Sequence, residues 1–247
     1  MEQEKKFPTE IIDLPSKGLL YPKESPLSSG KVEMKYMTAK EEDILTNNNY
    51  ISRGIVIDKL IQALLVDKSI KYGDLLAGDK NVLLVGARIL GYGEIYEFTY
   101  GGSKHTVDLS KLDNKPIDEE LYKGSNNEFT FTLPTTNRNL TFKLLTHSDE
   151  LEIDAEIKGL QKINKDTNPE MSTRLKHIIT SVDGKTDNKY IRDFVDNEFL
   201  AKDARAFRTY YGVIQPDLDL TFYPEGGPEE GVDIPIGINF LWPDATL

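Results

Sequence analysis

Three histidines, His105, His147 and His177, are the side chains best suited to move a proton near neutral pH. They fall in separate stretches of the chain. No HxxxH or HxE spacing brings two ligands onto one helix face, as a zinc site needs. The chain has no cysteine, which removes thiolate nucleophiles, thiolate metal ligands and disulfides together. Zinc would therefore need these histidines, or carboxylates, to converge from distant positions. We expect no metal, and read the histidines as surface or capping residues.

Carboxylate pairs occur in "KEED" (Lys40–Asp43) and "HSDE" (His147–Glu150). Both fall where a helix begins, and there negative charge complements the helix dipole without any catalytic role. The glycines of "GARILGYGE" (Gly86–Glu94) follow a helical pattern rather than a strand. They read as a helix stop and not as a phosphate loop, which needs glycines between a strand and a helix N-terminus. "PEGGPEEG" (Pro224–Gly231) lacks the alternating oxygen ligands of a calcium loop and reads as a hairpin tip. With no Gly-x-Ser-x-Gly elbow in the chain, the expectation is no catalytic residue, no cofactor and no enzyme activity.

Charge points the same way. The 247 residues include 41 acidic and 30 basic side chains, a formal net charge of −11. Nucleic acid and anionic membrane surfaces call for basic patches, so neither is expected as a partner. The opening "MEQEKKFPTEIIDLP" has no apolar core of a leader peptide. No apolar run reaches the about 18 residues of a membrane helix. The expected class is an intracellular, soluble protein.

The elements that would carry any site are organised as a repeat. "VEMKYMTAKEEDIL" (Val32–Leu45) alternates apolar and polar residues as a half-buried strand, then enters a helix through Thr38 and Glu41, a capping box. "LTFKLLTHSDELEI" (Leu140–Ile153) does the same through Thr146 and Asp149, a weaker box because Asp replaces Glu. A shift of 108 carries Val32 onto Leu140, Met34 onto Phe142, Lys35 onto Lys143 and Thr38 onto Thr146. Further on, "KLIQALLVD" (Lys59–Asp67) faces "RLKHIITSVDG" (Arg174–Gly184) as short amphipathic helices. "DLLAGDKNVLL" (Asp74–Leu84) faces "EFLAKDARAFR" (Glu198–Arg208) with a shift of 124, which carries Asp79 onto Asp203. Each copy closes in an expected hairpin, Glu94–Leu109 and Asp217–Phe240.

The expected fold class is therefore α+β: two related modules from an internal duplication, each a small antiparallel sheet or hairpin with a few helices. A strand pair, Glu128–Pro134 and Asn139–Leu145, would open the second module. The boundaries read as a Pro-rich arm at 1–31, a first module at 32–113, a polar linker at 114–127 and a second module at 128–247. A loop inside the second module is expected over Lys162–Ser172. Prolines 8, 15, 22 and 26 forbid a regular helix in the arm, yet Leu14, Leu19, Leu20 and Tyr21 are interleaved with them. We read an extended arm lying on a surface, either its own or a neighbour's. Its residues Leu14, Pro15, Leu19, Leu20 and Tyr21, with Phe240, Leu241 and the single tryptophan Trp242 at the other end, are the candidate partner-binding anchors.

"DLPSKGLLYP", "PLSSGKVEMKYMTAKEEDIL", "TRLKHIITSVDG", "IRDFVDNEFLAKDARAFRTY" and "IPIGINFLWPDA" together resemble the baseplate hub proteins of T-even-type contractile-tailed phages, over nearly the whole chain from Asp13 to Ala245. The resemblance implies a non-enzymatic part in tail morphogenesis, as a structural scaffold in building the central hub. The alternative it leaves is a transient assembly chaperone absent from the mature virion. Partners would be other baseplate hub and tail proteins, a homo-oligomer being compatible. The location would be the host cytoplasm during assembly, or the virion baseplate. Relatives with paired cysteines at the two hairpin tips would resemble zinc ribbons. Here the tips read "TYGGSK" and "YPEGGPEEG", so the resemblance implies a lost metal.

Overall fold

The computed structural model describes residues 8–165, 168–225 and 227–242. Strands β1 (Thr9–Asp13) and β2 (Lys31–Lys35) pair antiparallel, with Ile12 opposite Val32 and Glu10 opposite Met34. The alternation read in β2 holds: Val32 and Met34 are buried while Glu33 faces out. Short helices α1 (Ala39–Leu45), α2 (Asn48–Ser52) and α3 (Val56–Leu64) follow, α3 burying Val56, Leu60, Ile61 and Leu64 on one face. Helix α4 (Ala77–Tyr92) is largely enclosed and stops at Gly93, whose φ of 85° suits glycine. Strands β3 (Ile95–Tyr100) and β4 (Ser103–Asp108) then make the expected hairpin across Gly101 and Gly102.

Residues 114–127 are more tightly held than a linker. They contain a helical turn, α5 (Glu119–Tyr122), whose Tyr122 is buried and donates its hydroxyl to the carbonyl of Ile214. The Lys115 N–H donates to Asp217 O at 2.8 Å, and Lys17 reaches Glu119 at 2.5 Å. The segment thus bonds to both halves of the chain.

The C-terminal half opens with β5 (Phe129–Thr132) and β6 (Asn139–Phe142), the hairpin expected around "TTNR". Helix α6 (His147–Ile163) and helix α7 (Glu170–Ile178) come next. Ile179–Val182 is a strand, β7, paired antiparallel with β6 as the third of its sheet. The helix expected through this stretch therefore ends at Ile178. The run Ile-Ile-Thr-Ser-Val is rich in β-branched residues, which pack better on a pleated surface than in a helix. Helix α8 (Asn188–Asp193), a π-helical turn (Phe194–Glu198) and helix α9 (Ala201–Ile214) lead to β8 (Thr221–Phe222) and β9 (Val232–Asp233). The second hairpin thus has a ladder of only two pairs, and its expected distal end is instead the helical turn α10 (Ile238–Leu241).

One hydrophobic core runs through both halves, from Leu14 to Leu241. Over residues 8–31 this core corrects the expectation of a surface arm at 1–31, of which residues 1–7 lie outside the described residues. β1 is half of a two-stranded sheet, and Leu14, Leu20, Tyr21 and Leu27 are buried beyond it. The segment between β1 and β2 folds back on itself at Gly18, where any Cβ would meet the backbone of Ser28 and Gly30 at 2.5 Å. Its buried end is held by Asp79 of α4. One carboxylate oxygen accepts from the Ser16 N–H at 3.0 Å, and the other accepts from the hydroxyls of Ser16 and Tyr21 at 2.6 Å each. Asp79→Ala leaves those donors buried without an acceptor and should cost about 2–4 kcal/mol in a denaturant titration. Deleting residues 1–22 should abolish cooperative melting, because it removes β1 and part of the core. A truncated chain that still melts sharply would restore the picture of a detachable arm.

Candidate interaction surface

The two strand-to-helix entries are built alike. At α1 the Thr38 N–H and hydroxyl donate to Glu41 at 3.1 and 2.6 Å, and Lys35 from β2 reaches the other oxygen of the same carboxylate at 2.7 Å. At α6 the Thr146 N–H and hydroxyl donate to Asp149 at 2.9 Å each, and Lys143 after β6 closes on it at 2.7 Å. The shorter aspartate therefore completes its box as fully as the glutamate does. Burial acts to raise the pKa of both carboxyls, but the lysine and threonine donors outweigh it and hold both below the usual range.

The long helices repeat a second device. Asp203 occupies in α9 the place of Asp79 in α4. It accepts from the N–H groups of Thr135 and Thr136 at 2.8 and 3.2 Å and from the Thr136 hydroxyl at 2.9 Å. In each half a carboxylate in the first turn of a long helix holds the connection between two strands. The electrostatic balance differs. Burial dominates at Asp79 and pushes its carboxyl up, whereas at Asp203 the threonine donors overcome burial and hold it down. Opposite β2, where β7 would fall in this comparison, there is a bridge between Met34 and Leu65, with the Val66 N–H donating to Glu33 O at 3.0 Å.

The histidines take structural positions. His147 is only 7% exposed, which removes the surface alternative from its reading as a surface or capping residue. Its Nε2 lies 3.1 Å from Asp58 and its Nδ1 3.4 Å from Lys80, while Tyr72 meets the ring edge-on at 4.6 Å. Its N–H donates to Leu75 O at 2.8 Å, so this first residue of α6 is fastened to the N-terminal half. His177 lies 3.0 Å from Glu156, which also accepts a bidentate pair from Arg192 at 2.7 and 2.6 Å. His105 packs between Phe98 and Phe222. Among the described residues no group of three or more metal-ligating side chains is placed to hold an ion. No helix among them is long and apolar enough to cross a membrane.

The expected terminal anchors are corrected as well. Leu14, Pro15, Leu20, Tyr21, Phe240 and Leu241 are buried, and Leu19 and Trp242 are half-buried against the same core. Phe240 meets Tyr96 of β3 edge-on at 4.8 Å, and the Tyr96 hydroxyl donates to Pro235 O at 3.0 Å. The six buried side chains have no free face to offer a partner, whereas Leu19 and Trp242 keep part of theirs exposed.

What stands open is a groove of about 240 Å³ along α9. Its floor is apolar: Leu145, Leu175, Ile178 and Phe207. Ala77, the first residue of α4, lines one end, so both halves contribute. Tyr211 stands in its wall and accepts from the Leu145 N–H at 3.1 Å; burial pushes the phenol up to about 12. Arg174 and Glu150 close one rim as a bidentate pair at 2.9 and 2.6 Å. The half-exposed thioether of Met171 overhangs the opening. The sequence reading missed this groove, because its residues come from four distant segments. The visible signal was the run of basic residues at one face of α9.

No protein-family model, no curated protein and no solved structure matches the chain.

The Glu156 knot makes the acid limb of stability testable. The paired hydrogen bonds from Arg192, with His177 beside them, outweigh burial and hold this carboxyl down at about 2, against an ordinary 4.5. A carboxyl depressed in the folded state contributes stability that is complete above its unfolded pKa. That contribution fades as pH falls from there toward 2. Glu156→Gln should lower stability by about 2 kcal/mol at pH 7, after allowance for partial solvent screening. The deficit should shrink steadily below pH 4.5. Chemical denaturation from pH 7 to pH 2.5 measures it, and a deficit independent of pH would refute the assignment.

Proposed function

We propose that this protein is a non-enzymatic scaffold in tail morphogenesis, needed to build the central hub of a contractile-tailed phage baseplate. Its two halves are related modules from an ancestral duplication, and they present similar but non-identical faces to other hub and tail proteins. The observation that carries the duplication is the recurrence of four contacts in one order. These are the threonine capping box, the lysine that closes on it, the bridge on the outer edge of the preceding strand, and the helix-start aspartate that holds a strand connection. Chance similarity of capped helices accounts for the first of these, but not for all four at matching places. The resemblance of the stretches quoted above to phage hub proteins supports this biological setting, with the host cytoplasm as the place of assembly.

A scaffold needs rigidity more than it needs a reactive group. Many of the titratable side chains described above are engaged in caps and ion pairs that hold elements together, which favours a structural role over catalysis. The same chain could serve as a permanent subunit or as a chaperone that leaves. Affinity-tagged protein co-expressed with the hub proteins of its phage should retain one of them through size-exclusion chromatography. Quantitative mass spectrometry of purified virions then assigns the mode, with a fixed copy number for a subunit and absence for a chaperone. Failure to retain any hub protein, together with normal hub assembly when the gene is deleted, would refute the reading.

A further inference from the structure

Helix α9 carries an unusual surface for so acidic a chain. Lys202, Arg205 and Arg208 recur along its exposed side, and none of the three makes an ion pair with a described residue. Elsewhere the basic side chains that border α9 are engaged: Arg174 with Glu150 and Glu170, Arg138 with Asp183 and Glu198. Acidic residues outnumber basic ones by 41 to 30, so a stripe of unpaired cations is the locally available field for an anionic partner. Arg208 belongs to both features: it ends the stripe and lines the apolar groove. Gly212, one turn further on, also lines the groove, and a Cβ there would meet nothing within 4 Å. Beyond it Val213 is 70% exposed.

From this juxtaposition we infer that the groove along α9 is a docking site for an acidic segment of a partner protein that carries one large apolar side chain. The apolar side chain enters between Met171, Leu175 and Tyr211. The acidic residues flanking it lie against Lys202, Arg205 and Arg208. Buried anchors of this kind supply affinity, while rim charges set orientation and encounter rate. A nucleic-acid backbone would find the cations but would leave the apolar floor unused, and would meet the repulsion of a net −11 chain.

This inference rests on the scaffold reading for the existence of a protein partner, and it is tested apart from it. The probe is a fluorescein-labelled helical peptide of glutamate and alanine with leucine and phenylalanine on one face, titrated with the full chain and followed by anisotropy. The double variant Arg205→Glu/Arg208→Glu should weaken binding about tenfold, and added salt should erase much of the difference. Gly212→Trp fills the groove without changing charge and should weaken binding to a similar degree. Thermal melting of each variant verifies that it is folded. A control peptide with lysine in place of glutamate should not bind. Equal affinity of both variants and the wild type would overturn the site. So would saturable binding of a short single-stranded DNA oligonucleotide that displaces the peptide. Self-association of the wild type that both variants abolish would make a second copy the occupant, and would overturn it too. If the charge-reversed protein still retains hub proteins, only the groove assignment fails; if the wild type retains none, the scaffold reading itself fails.

Discussion

A carboxylate buried at the start of a long helix has to be met by donors, and in this protein that requirement organises both halves. Asp79 and Asp203 each lie in the first turn of a helix, where unpaired N–H groups favour negative charge. Each reaches outward for its remaining donors and finds them in the connection between two strands. The helix thereby fixes the strands, and the strands fix the capping box that follows them. Remove Asp79 and three buried donors lose their acceptor at once; remove Asp203 and three part-buried donors do.

The halves are joined by contacts that do not tolerate looseness. Gly78 in the first turn of α4 sits so close to Pro216 that an added Cβ would lie 1.8 Å from its carbonyl oxygen. Asn81 of the same helix donates to Asp217 at 2.9 Å. The start of α6 is pinned to Leu75, and His147 is enclosed by Asp58, Lys80 and Tyr72. At the other end of the chain, Phe222 and Phe240 pack on the first hairpin. These contacts pack the two halves directly against each other.

Leu14, Leu20, Tyr21, Phe240 and Leu241, near the two ends of the described residues, are spent on the core. Many of the protein's polar side chains are engaged in ion pairs and caps. The α9 groove, assembled from distant segments, brings an apolar floor together with cations that pair with no described residue.

The sequence by itself determined the local devices. Alternation in Lys31–Lys35 and Asn139–Phe142 made strands, Thr38 and Thr146 made helix starts, and Gly101–Gly102 made a tight turn. These depend on neighbours a few residues apart, so spacing along the chain is enough to read them. Only the tertiary structure decided that Ile179–Val182 is a strand, since that choice belongs to the open edge of β6. It also decided that His147 is enclosed and that the proline-rich N-terminal segment is core. An apolar residue among prolines reads the same whether it waits for a partner or fills the chain's own interior; which of the two it does depends on what residues sixty or two hundred positions away bring to it.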